Sequence, residues 1–159
     1  MTKAKKKILV TGGAGFMGSN FLRLLYKKYP DYDLTNLDIL AYAGNLDNLR
    51  DINLSERNLP GNKRRYHFIK GDICDSALIK KLFKKGFDIV VNFAADSHVD
   101  RSIMDARIFM HTNITGVNNL IHFVKEFKIP RFIQISTDEV YGDIDKGYSK
   151  EDHPFRPSN

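Results

Sequence analysis

The sequence has no tryptophan and one cysteine, Cys74. A single thiol cannot close an internal disulfide, so a small cross-linked scaffold is excluded. Cys74 reads as a small apolar residue of the interior. No apolar run approaches the roughly 18 residues that a membrane span requires. The first residues, MTKAKKKILV, are positively charged, but no apolar stretch of signal-peptide length precedes Thr11-Gly12. The expected compartment is therefore the cytoplasm, with no membrane partner. Aromatic residues are not interleaved with the basic ones, as a base-stacking surface would need, so nucleic acid is not an expected partner. There is no internal repeat and no low-complexity segment.

What is present is a globular composition: 42% hydrophobic and 28% charged residues in a chain of 159, the length of one domain. The net charge is +6. Lys3, Lys5, Lys6 and Lys7 form one basic cluster, and Lys63, Arg64 and Arg65 another. Both read as solvated surface or as an attraction for phosphate groups. Short apolar runs alternate with amphipathic segments. Strands are predicted at 7–11, 32–38, 66–70, 88–93 and 131–136. Helices are predicted at 16–29, 46–52, 76–84 and over most of 103–127, while 53–62 reads as a loop. Buried strands alternating with helices predict an α/β fold: a doubly wound parallel sheet with helices on both faces.

The segment ILVTGGAGFMGSN follows the first strand and opens the first helix. Gly12, Gly15 and Gly18 have GxxGxxG spacing, and Gly13, Gly15 and Gly18 have GxGxxG spacing. Asp38 ends the next strand, about 20 residues beyond Gly18. A tight turn needs glycine, a pyrophosphate can approach only a backbone without side chains, and a helix start offers free N–H groups. The pattern predicts a dinucleotide site at Gly12, Gly15, Phe16, Met17 and Gly18, with Asp38 accepting hydrogen bonds from a ribose diol. The Asp38 charge would repel a 2′-phosphate, so the expected cofactor is NAD rather than NADP. Residues 1–159 are then one Rossmann-like NAD-binding domain. Asp72, in KGDI after the third strand, lies at the same sheet edge. It is expected to reach an adenine amino group, with Ile73 packing on the ring.

In VVNFAADSHVDRSI, Ala94 and Ala95 are small enough for a cofactor to lie close over the sheet end, where ligands of open parallel sheets bind. Ser97, His98, Asp100 and Arg101 crowd the next loop, and Ser97 and His98 are candidates for sugar or phosphate contacts. No spacing of His, Cys and carboxylates there suggests a metal site, and none is expected. Asn113, in HTNITG, sits mid-helix, where asparagine is a poor helix former. It reads as steadying the loop beneath the cofactor, as binding a water, or as a helix irregularity near Gly116.

The last strand runs into FIQISTDEVYGD, which sets Asp138 beside Glu139. Adjacent strand residues point to opposite faces. Both acids can address one ligand only if the backbone has left the strand by Asp138. Burial and a neighbouring anion keep a carboxyl protonated, and environments that separate two carboxyl groups assign one acid and one base.

Four segments, TGGAGFMGSN, AYAGNLDNL, FAADSHVDRSI and STDEVYG, follow in order with fitting gaps. Together they resemble the extended short-chain dehydrogenase/reductases, and within them the nucleotide-sugar 4,6-dehydratases, from about Lys7 to Asn159. The Asp138-Glu139 pair is the specific part, because related 4-epimerases generally lack it. Asp96 departs from the pattern, where the family usually has glutamate. The resemblance implies an NAD-dependent lyase acting on a nucleotide sugar, dTDP-glucose, in deoxysugar biosynthesis. It implies oxidation at sugar carbon 4, loss of water across carbons 5 and 6, and return of the hydride to carbon 6. By family position Glu139 takes the carbon-5 proton and Asp138 protonates the departing hydroxyl. Thr137 hydrogen-bonds the carbon-4 oxygen, Ser136 lines the nicotinamide pocket and Tyr141 packs. Thr137, Asp138 and Glu139 are thus candidates for both catalysis and substrate contact. The alternatives are another nucleotide-sugar dehydratase, a 4-epimerase, or an NAD-binding module without catalysis.

The resemblance also calls for a Tyr-x-x-x-Lys dyad, which in the family comes just after a segment like EDHPFRPSN. None is expected within this sequence: four residues after Tyr26, Tyr29, Tyr141 and Tyr148 stand Pro30, Asp33, Asp145 and Asp152. The chain is therefore expected to be the N-terminal portion of a dehydratase that is homodimeric when whole. Alone it should be inactive, lack the substrate domain and leave a sheet edge unpaired beyond the fifth strand.

Overall fold

The computed structural model describes residues 5–98 and 105–158. Five strands form one all-parallel sheet: β1 (Lys6–Thr11), β2 (Tyr32–Asp38), β3 (Tyr66–Lys70), β4 (Ile89–Asn92) and β5 (Arg131–Gln134). Their order is β3-β2-β1-β4-β5. The winding reverses between β1 and β4, so the crevice at the carboxyl ends of these two strands is the topological switch point. The helices are α1 (Phe16–Lys28), α2 (Arg50–Arg57), α3 (Ser76–Phe83), α4 (Ala106–Met110) and α5 (Val117–Glu126). No helix among the described residues is long and apolar enough to cross a membrane.

The alternation of side chains along β1 feeds two cores. Ile8 and Val10 join Leu22 and Leu25 of α1, together with Leu49 and Ile52. Leu9, pointing the other way, joins Ile79, Leu82 and Phe83 of α3 and Leu120 and Phe123 of α5. A strand covered on both faces must be apolar at every position, which is why the run ILV reads without alternation. The five predicted strands agree with those observed to within two residues at each end. β3 and β5 form the two sheet edges, and Ile133 of β5 is 39% exposed.

One expectation about the helices is corrected and another is refined. The helix predicted to stop at Ile52 continues as α2 to Arg57, after a 3₁₀ turn over Leu46–Leu49. Its last turn is anchored by a polar residue, Glu56, which is only 5% exposed. The Tyr26 hydroxyl donates to Glu56 Oε1 at 2.7 Å, and the Arg65 N–H donates to Oε2 at 2.9 Å. The Arg65 guanidinium stacks 3.7 Å from the Tyr26 ring centroid and donates to the carbonyls of Tyr26 and Tyr29. Arg65 is thus a strap between α1 and β3 rather than a solvated charge. The helix predicted over most of 103–127 is broken by a π-helical turn, His111–Gly116, between α4 and α5. Its predicted start at 103–104 lies outside the described residues.

Candidate functional site

The turn from β1 into α1 uses its glycines in different ways. Gly12 has φ +68°, and a Cβ there would sit 2.6 Å from the Ala94 nitrogen, so both conformation and space demand glycine. At Gly18 a Cβ would lie 2.3 Å from the Gly12 oxygen. Gly15 differs: the one atom within 4 Å of its Cβ position is the Gly12 oxygen, at 3.3 Å. Gly15 also caps α1, with no side chain bonded to the helix amides. The space beside Gly15 is open, and Phe16 and Met17 flank it at 81% and 61% exposure.

Asp38 ends β2, almost fully buried. Its Oδ2 accepts the Ala14 N–H and its Oδ1 the Leu40 N–H, each at 2.8 Å. The carboxylate therefore pins the glycine turn to the end of β2, and each oxygen keeps a lone pair for a further donor. The turn is buttressed from a second side, which the sequence reading did not identify. The Ala14 carbonyl accepts from the Asn45 N–H at 3.0 Å and from Asn48 Nδ2 at 2.9 Å. Asn45 also accepts the Asp47 N–H at 2.9 Å, the Asx-turn habit of asparagine before a short helix that marks it in sequence.

After β3, Asp72 Oδ1 accepts the Cys74 N–H at 2.8 Å. The side chain of Ile73, expected to pack on an adenine ring, points into the fold. It is buried in the α3–α5 core, so close to Gly116 that a Cβ there would meet its Cδ1 at 2.5 Å. Burial, reinforced by the Asp72 charge, pushes the Cys74 thiol up to about 11, so Cys74 is a protonated thiol at neutral pH.

Another feature not legible in the sequence ties the strand ends together. The Thr11 hydroxyl donates to Asn92 Oδ1, and Asn92 Nδ2 donates to Gln134 Oε1 at 2.8 Å. Thr11 and Asn92 are fully buried. This ladder crosses the carboxyl ends of β1, β4 and β5. Beyond it, Ala94 is half-buried and Ala95 exposed. Asn113 clamps the Asp96 backbone, and the Thr112 hydroxyl donates to Asp96 Oδ2 at 2.7 Å. Ser97 and His98 are exposed, and the His98 ring meets the Tyr42 ring edge-on at 6.3 Å. Since β1 lies between β2 and β4, that contact bridges the end of β1. Asp100 and Arg101 lie outside the described residues.

β5 stops at Gln134. Ser136 and Thr137 are exposed, Thr137 is still extended, and Asp138–Val140 form a 3₁₀ turn. The chain has left the strand before Asp138, the condition for both acids to serve one ligand. Both carboxylates are exposed, whereas an acid role calls for a desolvated carboxyl. Tyr141 packs against Phe155 with ring centroids 5.6 Å apart.

One Tyr-x-x-x-Lys spacing does exist, at Tyr66 and Lys70, and the expectation of none is corrected. It lies on β3, where four residues span roughly 13 Å instead of the about 6 Å of a helix. Tyr66 is buried and accepts a hydrogen bond from Asn36 Nδ2 at 3.0 Å. This pair has neither the separation nor the exposure of a reactive dyad.

A parallel sheet in this order, with a glycine turn tied to an acidic β2 end beside the switch point, defines the doubly wound Rossmann class. Residues 9–159 match the family model described as GDP-mannose 4,6 dehydratase, and the chain belongs to that family. The dTDP-D-glucose 4,6-dehydratase of Homo sapiens is 44% identical over 156 residues, covering 97% of this chain and 42% of that protein. A crystal structure of the dTDP-glucose 4,6-dehydratase of Streptomyces venezuelae with NAD and TYD bound matches with a TM-score of 0.83 at 42% identity, over 95% of this chain and 45% of that one. The UDP-Glc/GlcNAc 4-epimerase of Campylobacter jejuni matches with a TM-score of 0.82 at 30% identity, over 96% of this chain and 43% of that one. The chain spans less than half the length of the curated relatives it matches.

Proposed function

We propose that this chain is the cofactor-binding and acid–base portion of an enzyme that dehydrates dTDP-glucose to dTDP-4-keto-6-deoxyglucose. The observation that carries the reading is the Asp138-Glu139 pair on a turn just past β5, at the same sheet end as the glycine turn. The open space beside Gly15 and the remaining lone pairs of Asp38 fit NAD. Gly12, Gly15, Phe16, Met17 and Gly18 would hold the pyrophosphate, Asp38 the adenosine ribose, and Asp72 with Ile73 the adenine. Ala94, Ala95 and Ser136 would border the rest of the cofactor. Bound there, NAD+ would supply the hydride acceptor for oxidation at carbon 4 and the hydride donor for reduction at carbon 6.

The carbon-4 hydroxyl proton would pass to the tyrosine of the Tyr-x-x-x-Lys dyad that the family resemblance implies, and the chain's own residues handle the protons of the elimination. Thr137 hydrogen-bonds the carbon-4 oxygen. Glu139 removes the carbon-5 proton, made acidic by the adjacent ketone, and Asp138 gives its proton to the carbon-6 hydroxyl, which leaves as water. Glu139 then returns a proton to carbon 5. Ser97 and His98 contact the sugar or its phosphates. A substrate lying over the turn would exclude water from both carboxylates. As a whole enzyme it is read, on the family resemblance, as a cytoplasmic homodimer.

The test has two stages. Calorimetric titration of NAD+ into this chain should show saturable binding that Asp38→Ala abolishes. In a chain extended to the length of its relatives, Asp138→Asn and Glu139→Gln should each cut dehydration of dTDP-glucose by roughly a hundredfold or more. The 4-epimerase reading predicts that both variants stay active on a UDP-sugar.

A further inference from the structure

Asp72, Cys74 and His111 converge from two separate parts of the fold. A carboxylate oxygen, the Cys74 sulfur and a His111 ring nitrogen all lie within 4.8 Å of one another. Asp72 and Cys74 belong to the turn between β3 and α3, and His111 opens the π-helical turn. The two parts are fastened together independently of any ligand. Cys74 Sγ donates to the His111 carbonyl at 3.3 Å, and Asn119 Nδ2 donates to the Ile73 carbonyl at 2.7 Å. The Ile73 side chain anchors the middle of the turn in the core.

We propose that Asp72, Cys74 and His111 form a binding site for a divalent metal ion of the zinc class. The donor set selects the metal. Sulfur and imidazole suit zinc and cobalt, whereas magnesium and calcium take oxygen ligands. Ligand atoms of a tetrahedral zinc site stand roughly 3.3–3.8 Å apart, as metal–ligand bonds of about 2.0–2.3 Å require. Side-chain rotations that draw the three donors in by about an ångström reach that spacing. Three protein ligands leave a fourth position for water, and Cys74 itself lines a cavity of about 400 Å³ together with Ser76, Thr115 and Asn119. Metal binding displaces the thiol proton, which passes to solvent, and the sulfur binds as thiolate. The positive ion offsets the Asp72 charge that otherwise opposes that thiolate.

The probe is Co²⁺ added to the metal-free full chain. One equivalent should produce a thiolate-to-cobalt charge-transfer band in the near ultraviolet, and Zn²⁺ should erase it by displacement. Cys74→Ser should lose the band while keeping the far-ultraviolet circular dichroism of the native chain. His111→Gln should weaken Co²⁺ binding by roughly tenfold or more. The proposal is overturned if the native chain gives no such band, or if the band persists at equal affinity in both variants. Asp72 is also the acid proposed for the adenine, so both readouts are taken without NAD, and failure here is distinct from failure of the dehydratase reading.

Discussion

Asn113 holds the backbone of Asp96 by both of its polar groups. Its Oδ1 accepts the Asp96 N–H at 2.9 Å, and its Nδ2 donates to the Asp96 carbonyl at 2.8 Å. The clamp joins the π-helical turn to the loop that carries Ser97 and His98. Asn113→Ala removes both bonds, and Asn113→Asp keeps the acceptor but loses the donor. At about 1 kcal/mol per bond, the alanine variant should lose roughly 2 kcal/mol and the aspartate variant less. Hydrogen exchange at the Asp96 amide is the direct measurement. Unchanged protection in Asn113→Ala would mean that something else holds the loop.

The glycine turn separates folding from binding. Gly18→Ala should destabilise the chain by about 1–3 kcal/mol or more, since the new methyl group overlaps the Gly12 carbonyl. Gly15→Ala meets only a close contact at 3.3 Å, and should cost no more than about 1 kcal/mol through a poorer helix cap. Its NAD+ affinity should nonetheless fall at least roughly tenfold, because the methyl group occupies the space a pyrophosphate needs. Urea unfolding and calorimetry on the two variants check the division. Native-like NAD+ binding by Gly15→Ala would overturn it.

Asp38 should matter to stability without any ligand. Asp38→Asn preserves shape but offers one acceptor oxygen to the two N–H groups of Ala14 and Leu40. Hydrogen bonds to a charged group contribute about 1.5–3 kcal/mol each, so the asparagine variant should lose on that order in urea unfolding. A loss of NAD+ binding with full stability would instead mean that Asp38 serves the ligand alone.

Tyr26 makes stability depend on alkaline pH. Burial first, then the hydrogen bond to Glu56, pushes its hydroxyl from 10.0 up to about 12. Above pH 10 the unfolded chain gives up this proton while the folded chain keeps it, so the unfolded state binds fewer protons and stability falls as pH rises. The contribution is complete below pH 10 and gone above about 12. Tyr26→Phe should be less stable at neutral pH, where Glu56 Oε1 loses its donor, and should show a flatter decline between those two values. Urea midpoints across that range, compared with the native chain, give the answer; identical slopes would rule out the Tyr26 contribution.

The strands were legible because each is a short apolar run buried on both faces, punctuated by glycine, proline or aspartate. The glycine turn and Asp38 were legible because their spacing encodes a backbone shape. The exit of the chain before Asp138 followed from the alternation rule alone. What escaped was held by polar groups that leave no hydrophobic period. Residues 53–57, NLSER, look like a loop until Glu56 is seen to be buried among Tyr26 and Arg65. A π-helical turn has no sequence period of its own, so Asn113 was legible as a residue that steadies the loop, but its partner Asp96 was not. Ile73 sits in a turn, where nothing in the pattern says which way a side chain faces. Tyr66 and Lys70 show the converse, a spacing whose meaning changes with the secondary structure that carries it.

The hydroxyl of Thr11 meets its partner Asn92 across 81 positions of chain. On a ribosome, which adds about 5–20 residues per second, the second arrives on the order of 4–16 s after the first. β2 can pair with one side of β1 early in that interval, but the other side must wait for β4. For those seconds the strand destined for the centre of the sheet presents an open row of backbone donors and acceptors, the template on which misassembly starts. The time of greatest hazard in the life of this protein therefore closes as Asn92 emerges, well before the residues proposed for its chemistry have been made.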